Sequence, residues 1–129
     1  MTGQVFLYLL IALVLSFGLR RMWIARSIPS YSPAEVKEKL RNSHDAILLD
    51  VRTNAERTRG HIQGSLHIPL HNIIRQSDSL EKYRGKEIIC YCQSGNRSVS
   101  AAARLKKLGF TVANMQGGIG EWNFKQLGN

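Results

Sequence analysis

The chain has 129 residues, 43% of them hydrophobic and 21% charged, with 18 Lys and Arg against nine Asp and Glu. This composition excludes global disorder and fits one compact domain with a short appendage. Its two cysteines, Cys90 and Cys92, are too few for a disulfide framework or a cysteine-based zinc site, and they point to a reducing compartment.

The first segment stands apart from the rest. Residues 5–19 read VFLYLLIALVLSFGL without a charge, and Met1 to Gln4 are uncharged too. Nineteen helical residues rise roughly 28 Å, close to the hydrocarbon thickness of a bilayer. Arg20, Arg21 and Arg26 follow the apolar run and no Lys or Arg precedes it. The positive-inside rule therefore places the C-terminal side in the cytoplasm, with Trp23 at headgroup level. Ser16-Phe17-Gly18 offers a cleavage-like pattern. A signal peptide, however, carries its positive charge before the apolar run, and here the charge comes after. The sequence thus divides into an anchor with a basic flank, 1–26, and a domain, 27–129, that begins with a linker over Ser27–Ser30.

In the domain, Ser32-Pro33-Ala34-Glu35 is a capping box with proline at the first helical position, and it predicts a helix to about Leu40 or Arg41. Ala46–Val51 (AILLDV) predicts a buried strand. Asn54–Arg59 predicts one helical turn, which Gly60 stops. A second strand is expected at Ser65–Ile68, closed by Pro69, and a short helix at Leu70–Arg75. Glu87–Tyr91 (EIICY) is a third strand. Arg97–Leu108 has small and apolar residues at helical spacing and ends at Gly109. A fourth strand follows at Phe110–Met115, then an amphipathic helix at Ile119–Leu127. Strands separated by helical crossovers imply an α/β fold: a small, mostly parallel sheet with helices on both faces.

The strand EIICY delivers Cys92 to its C-terminal end, where ligands bind in open α/β sheets. Gln93, Ser94, Gly95, Asn96, Arg97 and Ser98 then lead into a helix. Such a loop can aim backbone N–H groups at one point, and the helix N-terminus adds positive potential. Gly95 permits unusual backbone angles, and Arg97 adds a cation. Together these features stabilise an anion, so the Cys92 thiol should ionise readily and act as a nucleophile.

Cys92 to Ser98, with cysteine and arginine flanking four residues and a serine following, resembles the active-site loop of single-domain rhodaneses. Other segments match in order: Asp50-Val51-Arg52, then Gly60 to Ser65 with Ile68-Pro69, then Leu108-Gly109-Phe110, and finally Gly117-Gly118-Ile119 with Trp122. The match runs from about Ile28 to Leu127. Two departures are Ser65, where alanine is common, and Arg57, where an aromatic residue is common and a core contact would be unfilled or replaced. The resemblance implies a rhodanese-like fold and sulfurtransferase activity. Cys92 would take sulfur from thiosulfate or a related anionic donor as a persulfide and pass it to a thiol, cyanide or a protein acceptor, with no other cofactor. The amides of Gln93 to Ser98 would hold the transferred sulfur. Arg97 would steer the donor or bridge the loop to a carboxylate such as Glu56 or Asp50.

The remaining polar residues are assigned supporting roles. Asp50 and Arg52 are expected to form an ion pair near the loop, and the resemblance makes His61 a structural hydrogen-bonding residue rather than a general base. Cys90 shares a strand face with Cys92 and is read as core, with a resolving thiol as the alternative. Trp122 is also read as core. His44, His67 and His71 show no metal-ligand spacing, so no metal site is expected. Two further function classes compete with sulfur transfer. Cysteine-dependent phosphatases and arsenate reductases use a similar loop, usually with five residues between Cys and Arg. A membrane-held interaction module is the other, and the anchor itself offers a surface for a membrane-protein partner. Residues 27–129 keep 15 Lys and Arg against nine Asp and Glu, an excess suited to anionic lipid or an anionic donor. Without an aromatic-basic motif, no nucleic-acid partner is expected.

Overall fold

The computed structural model describes the backbone of residues 1–127, with side chains over 1–23 and 27–123. The Arg26 side chain, the last of the three flanking arginines, and residues 128–129 lie outside the described residues.

Helix α1 (Thr2–Arg26) has 25 residues, and its 22-residue stretch Thr2–Trp23 has a mean hydropathy of 2.0 with none of it buried. It is long and apolar enough to cross a membrane, and an N-terminal signal sequence would have the same character. The domain follows as β1 (Ser30–Tyr31), α2 (Pro33–Asn42), β2 (Ala46–Asp50), α3 (Asn54–Thr58), β3 (Leu66–His67), β4 (Glu87–Tyr91), α4 (Asn96–Lys107), β5 (Val112–Met115) and α5 (Gly118–Leu127). Both first-turn capping boxes form: Ser32 with Glu35, and Thr53 with Glu56. Each satisfies backbone N–H groups that a helix N-terminus leaves unpaired.

The five strands form one sheet in the order β1-β5-β4-β2-β3, and every pairing is parallel. Alternation along β4 splits the core in two. Ile88 and Cys90, with Cys92 just beyond the strand, face Ala101, Ala102 and Leu105 of α4. Ile89 and Tyr91 face Val36 of α2 and Ile119 and Trp122 of α5. This is the period-two signature of a strand buried on both faces. The expected core positions of Cys90 and Trp122 are therefore observed.

Two sequence expectations need correction, and one element was not expected at all. Ser27–Ser30 is not simply a linker. Ile28 is 5% exposed within the core, the Pro29 carbonyl accepts the Asn114 N–H at 2.8 Å, and Ser30 begins a fifth strand. Two residues are too short to show alternation, so β1 left no periodic signal. Ser77–Tyr83 forms an unexpected 3₁₀ helix that buries Leu80. The helix expected over Leu70–Arg75 shrinks to a 3₁₀ turn at Leu70–Asn72.

Strands β2 and β4 are adjacent, with Asp50 opposite Tyr91. The chain leaves β2 toward β3 and leaves β4 toward β5, so the loops beyond their C-terminal ends diverge. This is the topological switch point at which open α/β sheets leave a crevice.

Candidate functional site

Cys92 follows β4 at that crevice and is 1% exposed. Its Sγ accepts the Gly95 N–H at 3.0 Å and lies 3.4 Å from Ser98 Oγ. Burial pushes the thiol up, but hydrogen bonds from the Ser98 hydroxyl and the backbone N–H groups of Ser98, Gly95 and Ser94 outweigh it. The net displacement is downward. The neighbouring Cys90 has no such donors among the described residues, and burial pushes its thiol up to about 12. Two cysteines on one strand face thus have opposite acidities, and the difference is local hydrogen bonding.

The loop is tight because glycine allows it. Gly95 has φ +112° and is the N-cap of α4. The Gly117-Gly118 corner closes over it from the other side. A Cβ on Gly118 (φ +61°) would lie 2.3 Å from the Cys92 carbonyl oxygen and 2.5 Å from the Gln93 carbonyl carbon. That close approach lets the Ile119 N–H reach the Cys92 carbonyl at 2.9 Å and the Gly120 N–H reach that of Gln93 at 3.3 Å. Loop carbonyls are thereby bound away from the sulfur while loop N–H groups face it.

Arg97 does not project freely. It forms a two-pronged pair with Glu56 on α3, Nη1 to Oε1 at 2.6 Å and Nη2 to Oε2 at 2.8 Å. This clamp ties the loop after β4 to the helix after β2. The Arg97 bonds hold the Glu56 carboxyl at about 2.

Beneath lies a buried polar network. Asp50 is fully buried and accepts Arg52 Nε at 3.1 Å, Arg52 Nη2 at 2.9 Å and Arg57 Nη1 at 3.3 Å. Burial would push its carboxyl up, but the Arg52 bonds win and hold it below the usual range. Arg57 also donates to the Ser65 carbonyl at 2.8 Å, and Ser65 Oγ lies 2.9 Å from Tyr91 OH. The two departures noted in the sequence, Arg57 and Ser65, therefore belong to one network. A polar contact stands where an apolar one was expected.

The structure places Cys92, Gly95, Arg97, Ser98 and Glu56 together. Gln93, Ser94 and Asn96 are exposed along the rim, and Asp50 and Arg52 lie below it. Beside the loop is an open cleft of about 420 Å³ lined by Arg52, Glu56, Arg59, Gly60, His61, Gln93, Ile119 and Asn123. His61 is exposed there, and its side chain makes no hydrogen bond to the described residues, contrary to the expected structural role. His67 does, with Nε2 2.8 Å from the Arg52 carbonyl oxygen. Among the described residues no group of three His, Cys, Asp or Glu side chains is placed to hold a metal. Sequence reasoning missed Tyr91 and Asn114, the hydrogen-bonding role of Ser65 and the packing role of Gly118. A polar residue inside the buried strand VANM was the available signal for Asn114.

The chain is similar to proteins named for sulfur chemistry. A sulfurtransferase of Allochromatium vinosum is 36% identical over 88 residues, which are 67% of this chain and 80% of that protein. A Bacillus subtilis protein named as a candidate sulfur carrier is 37% identical over 102 residues, 78% of this chain. The match spans only about half, 54%, of that longer protein. The crystal structure of a rhodanese-related protein from Thermoplasma volcanium superposes with a TM-score of 0.68 at 31% identity, covering 75% of this chain and 92% of that one. The rhodanese-like domain model matches residues 32–125, which contain the Cys92 loop, the Glu56 clamp and the Gly117-Gly118 corner, and the chain belongs to the rhodanese-like domain family.

Proposed function

We propose that this chain is a sulfurtransferase in which Cys92 carries sulfane sulfur as a persulfide. The observation that supports it most is the set of backbone N–H groups converging on one buried thiol, with the Ser98 hydroxyl 3.4 Å away. Such a cradle stabilises a thiolate and equally a terminal persulfide sulfur. The thiolate attacks the outer sulfur of thiosulfate or a persulfide donor. The donor's S–S bond breaks, and sulfite, in the case of thiosulfate, leaves with the electron pair. Cys92 then holds Sγ–S⁻. An acceptor thiolate attacks the outer sulfur and becomes a persulfide, and the Cys92 thiolate leaves with its pair. The persulfide is the sole group the cycle needs. The backbone of Gln93 to Ser98 binds the transferred sulfur. Glu56 holds Arg97 and hence the loop, and Asp50 with Arg52 supports both from below. With Cys92 only 1% exposed, small anionic donors are favoured over bulky ones.

Intact mass of the full chain in detergent after thiosulfate treatment, beside Cys92→Ser, tests this reading. The expected result is one added sulfur on the wild type alone, removed by cyanide with thiocyanate formed. No gain from thiosulfate or from a small persulfide donor overturns it.

We further propose that residues 5–19 anchor the domain in a membrane, with the domain in the cytoplasm. The supporting observations are the uniformly exposed apolar helix and the arginines confined to its C-terminal flank. A reporter fused after Asn129 that is active only outside the cytoplasm would reject the orientation. Recovery of a shortened mature chain would reject the anchor.

A further inference from the structure

Asn114 lies in β5, a strand buried along its whole length, where a side-chain amide must find partners. It sits between two hydroxyls. Ser98 Oγ is 2.5 Å from Asn114 Oδ1, and Asn114 Nδ2 is 3.3 Å from Ser30 Oγ. Ser98 Oγ is also 3.1 Å from the Gly95 carbonyl oxygen and 3.4 Å from Cys92 Sγ. Ser98 therefore has one hydroxyl proton and three neighbours that can accept it.

The amide decides between them. With Oδ1 toward Ser98, the proton points to Asn114 and away from the sulfur. Turned by half a rotation, Nδ2 donates to Ser98 Oγ, and the Ser98 proton is free to point at Sγ. The Ser30 hydroxyl both donates and accepts, so it satisfies either end of the amide. A neutral thiol suits the first arrangement, because its S–H can donate to Ser98 Oγ. A thiolate suits the second, since a hydrogen bond to an anion is stronger than a neutral one and a donor behind it strengthens it further.

We propose that Asn114 is a positioning residue for Cys92: by turning its amide it aims the Ser98 hydroxyl at the sulfur when the sulfur is anionic. This rests on Cys92 reacting as a thiolate. The readout is alkylation, which needs no sulfur donor, so a failure of the sulfur-transfer reading and a failure of this one are distinguishable.

The experiment measures the rate of Cys92 alkylation by iodoacetamide against pH for the full chain in detergent, with intact mass to confirm a single label. Four proteins form a double-mutant cycle: wild type, Asn114→Leu, Ser98→Ala and the double variant. Leucine keeps the shape of asparagine and removes both donor and acceptor. The expected result is that Asn114→Leu moves the midpoint of the alkylation profile to higher pH, with about tenfold less thiolate below it. In the Ser98→Ala background the same change should have no effect. An equal shift in both backgrounds overturns the proposal, because Asn114 would then act on the sulfur without Ser98. A folded Asn114→Leu protein with an unmoved midpoint overturns it too, leaving only a packing role. If the leucine protein does not fold, Asn114→Ala takes its place in the same cycle under the same criteria.

Discussion

Replacing Glu56 by glutamine should loosen the active-site loop through charge alone. Glutamine keeps the shape of the side chain and the capping box with Thr53, but it removes the negative partner of Arg97. Arg97 holds Glu56 at about 2 instead of 4.5. Each tenfold change in proton affinity is worth about 1.4 kcal/mol, so this displacement sets a ceiling of about 3.4 kcal/mol. The Arg97 and Glu56 side chains are 36% and 27% exposed, and solvent screens the pair. The two-pronged geometry keeps it above an ordinary surface bridge, and about 1 kcal/mol is the expected cost at neutral pH. For a domain of this size that lowers the melting temperature by about 4–8 °C. A depressed carboxyl stabilises the fold above its unfolded pKa and ceases to do so as pH falls through its folded one. The difference between wild type and Glu56→Gln should therefore be full above pH 4.5 and shrink toward zero near pH 2. Thermal melts in detergent at several pH values, beside a sulfur-loading assay, measure both consequences. A stability difference that is constant through this window, or absent at neutral pH, refutes the clamp as an electrostatic device.

Gly118→Ala should be far more damaging than its size suggests, because the new Cβ meets backbone atoms of Cys92 and Gln93 at 2.3–2.5 Å. Loss of on the order of 2–4 kcal/mol and more than tenfold slower sulfur loading are expected in denaturation and mass assays. Cys90→Ala should cost about 1–2 kcal/mol by leaving a small cavity and leave sulfur loading on Cys92 intact. A lost load would assign Cys90 a chemical role. Arg57→Met should destabilise the fold by about 1–3 kcal/mol, since Asp50 and the Ser65 carbonyl each lose a buried donor, and urea denaturation measures it. Cys92 alkylation in the wild type should reach half its limiting rate at a pH below that of a free cysteine, following the lowered thiol. A midpoint at or above that of free cysteine would show that burial outweighs the loop's donors.

Much of this protein was legible in the chain because its signals are local. The Cys92 loop is one contiguous stretch, and Ser32-Glu35 announces α2 by a hydrogen-bonding exchange within four residues. The opposite faces of β4 follow from its length and apolar run. The continuous apolar stretch of α1 is likewise a property of composition alone. What a residue does across the fold is not written locally. Glu56 and Arg97 are 41 positions apart, and they meet because β2 and β4 are neighbours in the sheet. Asn114 reaches Ser98 and Ser30 only once β5 lies between β4 and β1. Gly118 could be read as a turn residue, but its need to be glycine comes from the Cys92 carbonyl pressed against it. Ser27–Ser30 reads as a short linker, yet Ile28 enters the core and Ser30 begins an edge strand because β5 offers it free backbone groups. Short-range hydrogen bonding and side-chain periodicity are encoded residue by residue, whereas the partners of Arg97, Asn114 and Gly118 depend on strand order, which packing of the whole domain decides.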